Sequence, residues 1–294
     1  MPGQSRFFPQ LLVRLPSLAF GTVRIRRDIL AALMLGFPAK LPVSEPERLW
    51  VDEGFRRLEK MLGHRRMMDA EMVLPAAKFF PDHYDRTPVA AGKLFQRVCG
   101  YMRVDTRGIE LEIFADETEE LRGMLPHWSG NSSGCAGLYM RDRGEEEDRN
   151  EKPMVVAIRS TQLQDPLSLV ATVAHELGHV ILLGGGLMNP STPDHEPMTD
   201  LLTVFLGLGI FTANSAGRFT QFQDNQHQGW SMQRLGYLPE QVFGYALARF
   251  GRERGEAKPS WAKYLSTNVR AYHKSSCAWL AKHGAPVITA KPIK

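Results

Sequence analysis

The sequence predicts an α+β fold: a small, mostly antiparallel sheet packed on one buried helix, followed by a mainly helical C-terminal part. Three observations carry this. Residues 109–115 (IELEIFA) alternate apolar and polar, while 137–140 (GLYM) and 154–158 (MVVAI) are short strand-like runs that read as a hairpin. Residues 166–183 bring Leu167, Val170, Ala174, Leu177 and Ile181 round at helical spacing and have apolar flanks throughout, which marks a buried helix. Beyond it, 239–252 and 268–282 repeat their apolar residues at the same spacing.

Taken in order, residues 1–46 are a basic N-terminal extension. Arg6, Arg14, Arg24, Arg26, Arg27 and Lys40 face Asp28 alone before residue 45, and Arg14 and Pro16 interrupt the apolar run that a secretion signal needs. Peripheral membrane contact through residues 1–44 is the rival expectation. A linker at 42–46 leads into a body spanning 47–294, with a core at 106–210 and a helical part at 211–294. Residues 47–62 and 88–100 read as helices, the second with Ala90, Leu94, Val98 and Cys99 inward; 72–74 reads as a short extended piece. The mixed-charge stretch 141–152 is expected to be a solvated loop. Asp165 is a good N-cap and Pro166 suits the first helical position, while Gly184-Gly185-Gly186 stops the element. A second buried element, 194–206, starts with Asp194 as the expected cap, so that Pro197 falls in the first turn. After Gly209 the chain stays apolar briefly and then turns polar.

The chemistry concentrates in the first of these buried elements. His175-Glu176-Leu177-Gly178-His179 puts two imidazoles four residues apart on one helix face, where both can reach one metal ion. Two histidines and a glutamate inside an apolar helix are costly unless something satisfies them. His-Glu-x-x-His is the pattern in which zinc polarises a carbonyl and the glutamate takes a proton from water. The next element carries Asp194, His195 and Glu196, each a chemically reasonable third ligand. Glu196 shares a face with Asp200, which suits a ligand and a carboxylate that orients an imidazole.

His175-Glu176-Leu177-Gly178-His179, then sixteen residues, then Glu196-Pro197-Met198-Thr199-Asp200, resembles the gluzincin zinc metallopeptidases, the group typified by thermolysin. The resemblance covers about residues 150–210. It implies a zincin-like fold and Zn2+ held by His175, His179 and Glu196. It further implies Glu176 as general base and Asp200 holding a ligand histidine in place. A downstream histidine or tyrosine should steady the tetrahedral intermediate, with His227, Tyr237, Tyr245, Tyr264 and His273 as candidates. The metzincin pattern is absent, because no glycine and third histidine follow the motif in close succession.

Composition limits the rest. The chain has 294 residues, 43% hydrophobic and 23% charged, with a net charge of +4 and basic and acidic residues interleaved, so it carries no nucleic-acid footprint. Three widely spaced cysteines without a CxxC argue against a disulfide framework and for a reducing, cytoplasmic setting. No run of about eighteen apolar residues predicts a transmembrane helix. Asn131-Ser132-Ser133 reads as a polar turn, His64, His83, His127 and His283 as surface residues, and Met67, Met68 and Met72 as packing. The expected function is a zinc-dependent metallopeptidase acting on a peptide or protein substrate. The alternative is a non-catalytic zinc-binding regulator or peptide-binding module.

Overall fold

The computed structural model describes residues 40–114, 137–140, 154–223 and 238–284. Residues 1–39 of the N-terminal extension, the mixed-charge loop, the sequon, His127, His227 and Tyr237 lie outside the described residues. Within them the fold is mixed α/β and mostly helical.

Local chemistry accounts for the first elements. Helix α1 (Glu45–Leu62) opens with a capping box: Ser44 Oγ accepts the Glu47 N–H, and Glu47 accepts the Ser44 N–H at 2.5 Å. It therefore begins inside the stretch expected to be a linker. A short α2 (His64–Met68) follows, and Val73 continues without strand pairing, its N–H donating to the Gly207 carbonyl at 2.9 Å. Helix α3 (Pro88–Met102) is capped by Thr87, whose Oγ1 accepts from Ala90 N–H at 3.2 Å, and buries Ala90, Leu94, Val98 and Cys99.

The sheet corrects the expectation of a mostly antiparallel arrangement. Strands β1 (Ile109–Phe114), β2 (Gly137–Met140) and β3 (Met154–Arg159) stand in the order β1-β3-β2. The longer pairing, β1 with β3, is parallel, with Ile109 opposite Met154 and Phe114 opposite Arg159. β2 runs antiparallel to β3, with Gly137 opposite Ile158. Alternation reports only that one face of a strand is covered, and it is the same for both strand directions.

After a 3₁₀ turn (Ser160–Gln164) comes α4 (Pro166–His179), which widens into a π-helical turn over Val180–Gly184. Together these form a helix apolar and long enough to cross a membrane, but 72% of it is buried inside the fold, as the core helix of a globular body is. α5 (His195–Phe205), α6 (Gly209–Gln223), α7 (Glu240–Glu253) and α8 (Thr267–His283) complete the fold. Helix α6 is not apparent in the sequence pattern and runs across 210–211. Ile210, Phe211, Thr212, Ala213, Ser215 and Ala216 are all buried, so its sides are too alike to show a 3.6-residue period. α4 lies at the centre, against α3, α5, α6, β2 and β3.

A buried polar network joins α1 to α7. Arg249, at 1% exposure the largest fully buried side chain, places Nε 3.3 Å from Asp52 Oδ1 and also pairs with Glu253. Tyr245 Oη donates to the same Asp52 oxygen at 3.0 Å, and Arg48 reaches the other at 2.8 Å. Burial and the nearby Asp52 carboxylate push the Tyr245 hydroxyl above its ordinary range, so it remains a donor. Burial likewise raises the Cys99 thiol to about 12 and the Cys277 thiol to about 11, which leaves both inert at neutral pH.

Two predictions follow from these interiors. Asp52→Ala removes the acceptor of the Tyr245 and Arg48 hydrogen bonds and the carboxylate that faces buried Arg249. Denaturant unfolding should show a loss of about 3 kcal/mol, the low end for breaking a buried pair. His273 is buried on α8 against the Trp261 ring, 5.1 Å between centroids, and burial lowers its pKa to about 4. Below an unfolded-state pKa of about 6.5 only the unfolded chain takes up this proton, so stability falls as pH drops from about 6.5 to 4, by about 3 kcal/mol in all. His273→Phe should flatten that limb of the stability–pH curve; an unchanged slope would rule out His273 as its source.

Candidate metal centre

Helix α4 is set by its own sequence. Asp165 accepts from the Leu167 and Ser168 N–H groups, both at 3.2 Å, with Pro166 in the first turn, as its residue types require. From Leu169 to His179 every residue is buried. His175 and His179 project from one face with their rings edge to face, 4.8 Å between centroids.

α5 crosses this face and brings a carboxylate to both imidazoles. Glu196 Oε2 lies 3.0 Å from His175 Nε2 and 3.3 Å from His179 Nε2, and the two Nε2 atoms are 3.1 Å apart. Three ligand-type atoms thus form a compact triangle. A four-coordinate ion bound at about 2.0–2.1 Å spaces its ligands by about 3.3 Å, so this triangle fits such an ion to within a few tenths of an ångström. The donor set, two imidazole nitrogens and one carboxylate oxygen, is chemically suited to a divalent cation.

Asp200 stands behind His175. Its Oδ1 accepts from His175 Nδ1–H at 2.8 Å, which turns Nε2 toward the triangle; its Oδ2 accepts the Leu238 N–H at 2.8 Å. One buried carboxylate thereby ties α4, α5 and the entrance to α7 together. Electrostatics favour positive charge here. Burial acts to lower the His175 pKa, but hydrogen bonds to Asp200 and then Glu196 outweigh it and raise the pKa well above the ordinary histidine value. Burial acts to raise Glu196, and the bonds from His175, His179 and His195 overcome it, holding the carboxyl far below the usual range.

Of the three neighbours considered as third ligand, Glu196 is the one that joins both histidines. Asp194 takes the expected N-cap position of α5, but its carboxylate makes no cap hydrogen bond and instead forms an ion pair with Arg57 of α1 at 2.7 Å. A long-range partner outcompetes the local cap bond, and no sequence spacing reports Arg57. His195 keeps its ring 5.9 Å from that of His179 and places Nε2 3.3 Å from Glu196 Oε1, with Nδ1 2.9 Å from the Thr192 carbonyl. Glu176 follows His175 on α4 and is 5% exposed. Among the further candidates, Tyr245 commits its hydroxyl to Asp52, His273 packs on Trp261, and Tyr264 lies under Lys263. His227 and Tyr237 fall outside the described residues.

Close approach of α5 to α4 depends on Gly178. A Cβ there would sit 2.7 Å from Thr199 Cγ2 and 3.5 Å from the Thr199 carbonyl oxygen. Gly178→Ala gains up to about 1 kcal/mol of helix propensity but forces two packed helices apart at about 1–3 kcal/mol. Because Thr199 is β-branched and hydrogen-bonded, the clash should win. The metal-free variant should lose roughly 1 kcal/mol in denaturant unfolding, and equal or greater stability would contradict the packing argument.

No family model matches this chain, and no curated protein or solved structure matches it, so what the centre can do has to be derived from its own side chains.

Proposed function

We propose that this chain is a zinc-dependent metallopeptidase with a zincin-like catalytic core. The observation that carries the reading is the triangle of His175 Nε2, His179 Nε2 and Glu196 Oε2, with edges of 3.0–3.3 Å, beside a buried Glu176. His175, His179 and Glu196 are the zinc ligands, and Asp200 holds the His175 ring. A purely structural zinc site is normally closed by four protein ligands, whereas the three found among the described residues leave a position for water or substrate. Bound there, zinc supplies Lewis acidity, polarising a peptide carbonyl and lowering the pKa of water toward about 7.

The chain's own residues supply the rest. Glu176 is the general base that takes the proton of the attacking water and returns it to the departing amine. Every residue of α4 from Leu169 to His179 is buried, which keeps the local dielectric low and the proton transfer local. β2 is an edge of the sheet, lies against α4, and among the described residues pairs only with β3. Its outer edge suits an extended peptide added as a further strand above the histidines. The gluzincin resemblance of 175–200 supports the same assignment.

The test is zinc loading followed by digestion of a mixed peptide library. Wild-type protein should take up one zinc and hydrolyse peptides. Glu176→Gln should keep the metal and lose roughly two orders of magnitude or more in turnover, since an amide cannot accept the proton. Zinc uptake with no hydrolysis of any peptide by the wild type would favour a non-catalytic zinc-binding role, and full turnover by Glu176→Gln would remove the mechanism.

A further inference from the structure

Asp200 accounts for the orientation of His175, but His179 needs its own support. A buried imidazole that offers one nitrogen to a metal is normally held through the other. His179 Nδ1 lies 3.3 Å from Thr199 Oγ1, and the same hydroxyl lies 2.8 Å from the His195 carbonyl oxygen. A carbonyl oxygen only accepts, so the single hydroxyl proton of Thr199 is committed to His195. Oγ1 is then an acceptor toward His179, which keeps a proton on Nδ1 and makes Nε2 the nitrogen that a metal would take. Thr199 is fully buried, and its methyl group is seated against Gly178, so the hydroxyl has one place to be.

From this we infer that Thr199 is the positioning residue for two of the three metal ligands at once, a role that rests on the metal-site reading above. It orients the His179 ring through Nδ1, and it holds the peptide group between His195 and Glu196 through the His195 carbonyl. The relay runs from His179 Nδ1–H to Oγ1, and from the Oγ1 hydroxyl to the carbonyl at the start of α5. Gly178 belongs to the same device, because only a residue without a side chain lets the threonine come this close to α4. A threonine bonding back to the carbonyl four residues earlier is an ordinary way to satisfy a hydroxyl inside a helix. That local bond alone predicts no effect on metal binding, and this separates the two roles.

The experiment measures zinc affinity by competition with a chromophoric chelator, with the melting temperature of each metal-free protein recorded alongside. Thr199→Val has nearly the same shape without the hydroxyl and should bind zinc roughly 10–100-fold more weakly, the usual loss when a ligand histidine's outer partner is removed. Thr199→Ser keeps the hydroxyl and should stay near wild-type affinity. Imidazole ¹⁵N spectra of the zinc-loaded wild type should show His179 bound through Nε2 with a hydrogen-bonded proton on Nδ1, and that signature should be lost in Thr199→Val. Should the valine variant prove poorly folded, the serine variant and the zinc-loaded wild-type spectrum still decide. A valine variant that melts lower but binds zinc like wild type, or a zinc-loaded wild-type His179 whose proton lies on Nε2, overturns the inference. Wild type and Glu196→Ala that both fail to bind zinc would bring down the metal reading and this inference with it; zinc bound by wild type and by Thr199→Val alike would bring down the inference alone.

Discussion

The burial of two imidazoles and a carboxylate in one apolar interior is the constraint on which the rest of this structure depends. Helix α4 is enclosed from Leu169 to His179, and an interior of that kind tolerates His175, His179 and Glu176 only where partners are brought to them. The neighbouring elements do so. α5 presents Glu196 to both Nε2 atoms and Asp200 and Thr199 to the two Nδ1 atoms. The outcome is a cluster whose outward-facing groups are satisfied by protein and whose inward-facing groups converge on one point.

Such convergence demands that helices approach closely, and small residues make it possible. At Gly178 the chain leaves room for Thr199, and at Gly54 of α1 it leaves room for Leu201, where a Cβ would lie 2.4 Å from Leu201 Cδ2. α5 is therefore gripped on two sides, by α4 and by α1. The Arg57–Asp194 ion pair fastens its first residue from the α1 side, and Asp200 reaches on to the backbone at Leu238, where α7 begins. Farther out, Asp52, Tyr245 and Arg249 join α1 to α7. The centre thus sits on elements braced against one another, as a site requiring ångström-level placement must.

Much of this was legible in residue order. The cap at Asp165, the two histidines sharing a face, and the pairing of Glu196 with Asp200 on the next element are all local relations. They follow from 3.6 residues per turn and from side-chain chemistry within four residues. Helix α6 escaped notice for the opposite reason: its first half, 209–216, is almost wholly covered, and a helical stretch buried all round has no polar face to give it a period. Asp194 takes the N-cap position as expected, but its carboxylate goes to Arg57, 137 residues away, which local spacing does not report.

The sequence by itself determined the donor set and the helix that carries it, since both depend on short-range spacing. Only the tertiary structure decided that β1 lies parallel to β3, that the Asp194 carboxylate goes to Arg57, and that Thr199 stands behind His179. Strand alternation is blind to direction, and the distant partner of a helical side chain leaves no mark in local spacing. The placement of Thr199 depends on how closely two helices pack, and that distance depends on the absence of a side chain at Gly178 and on contacts between residues far apart in the chain.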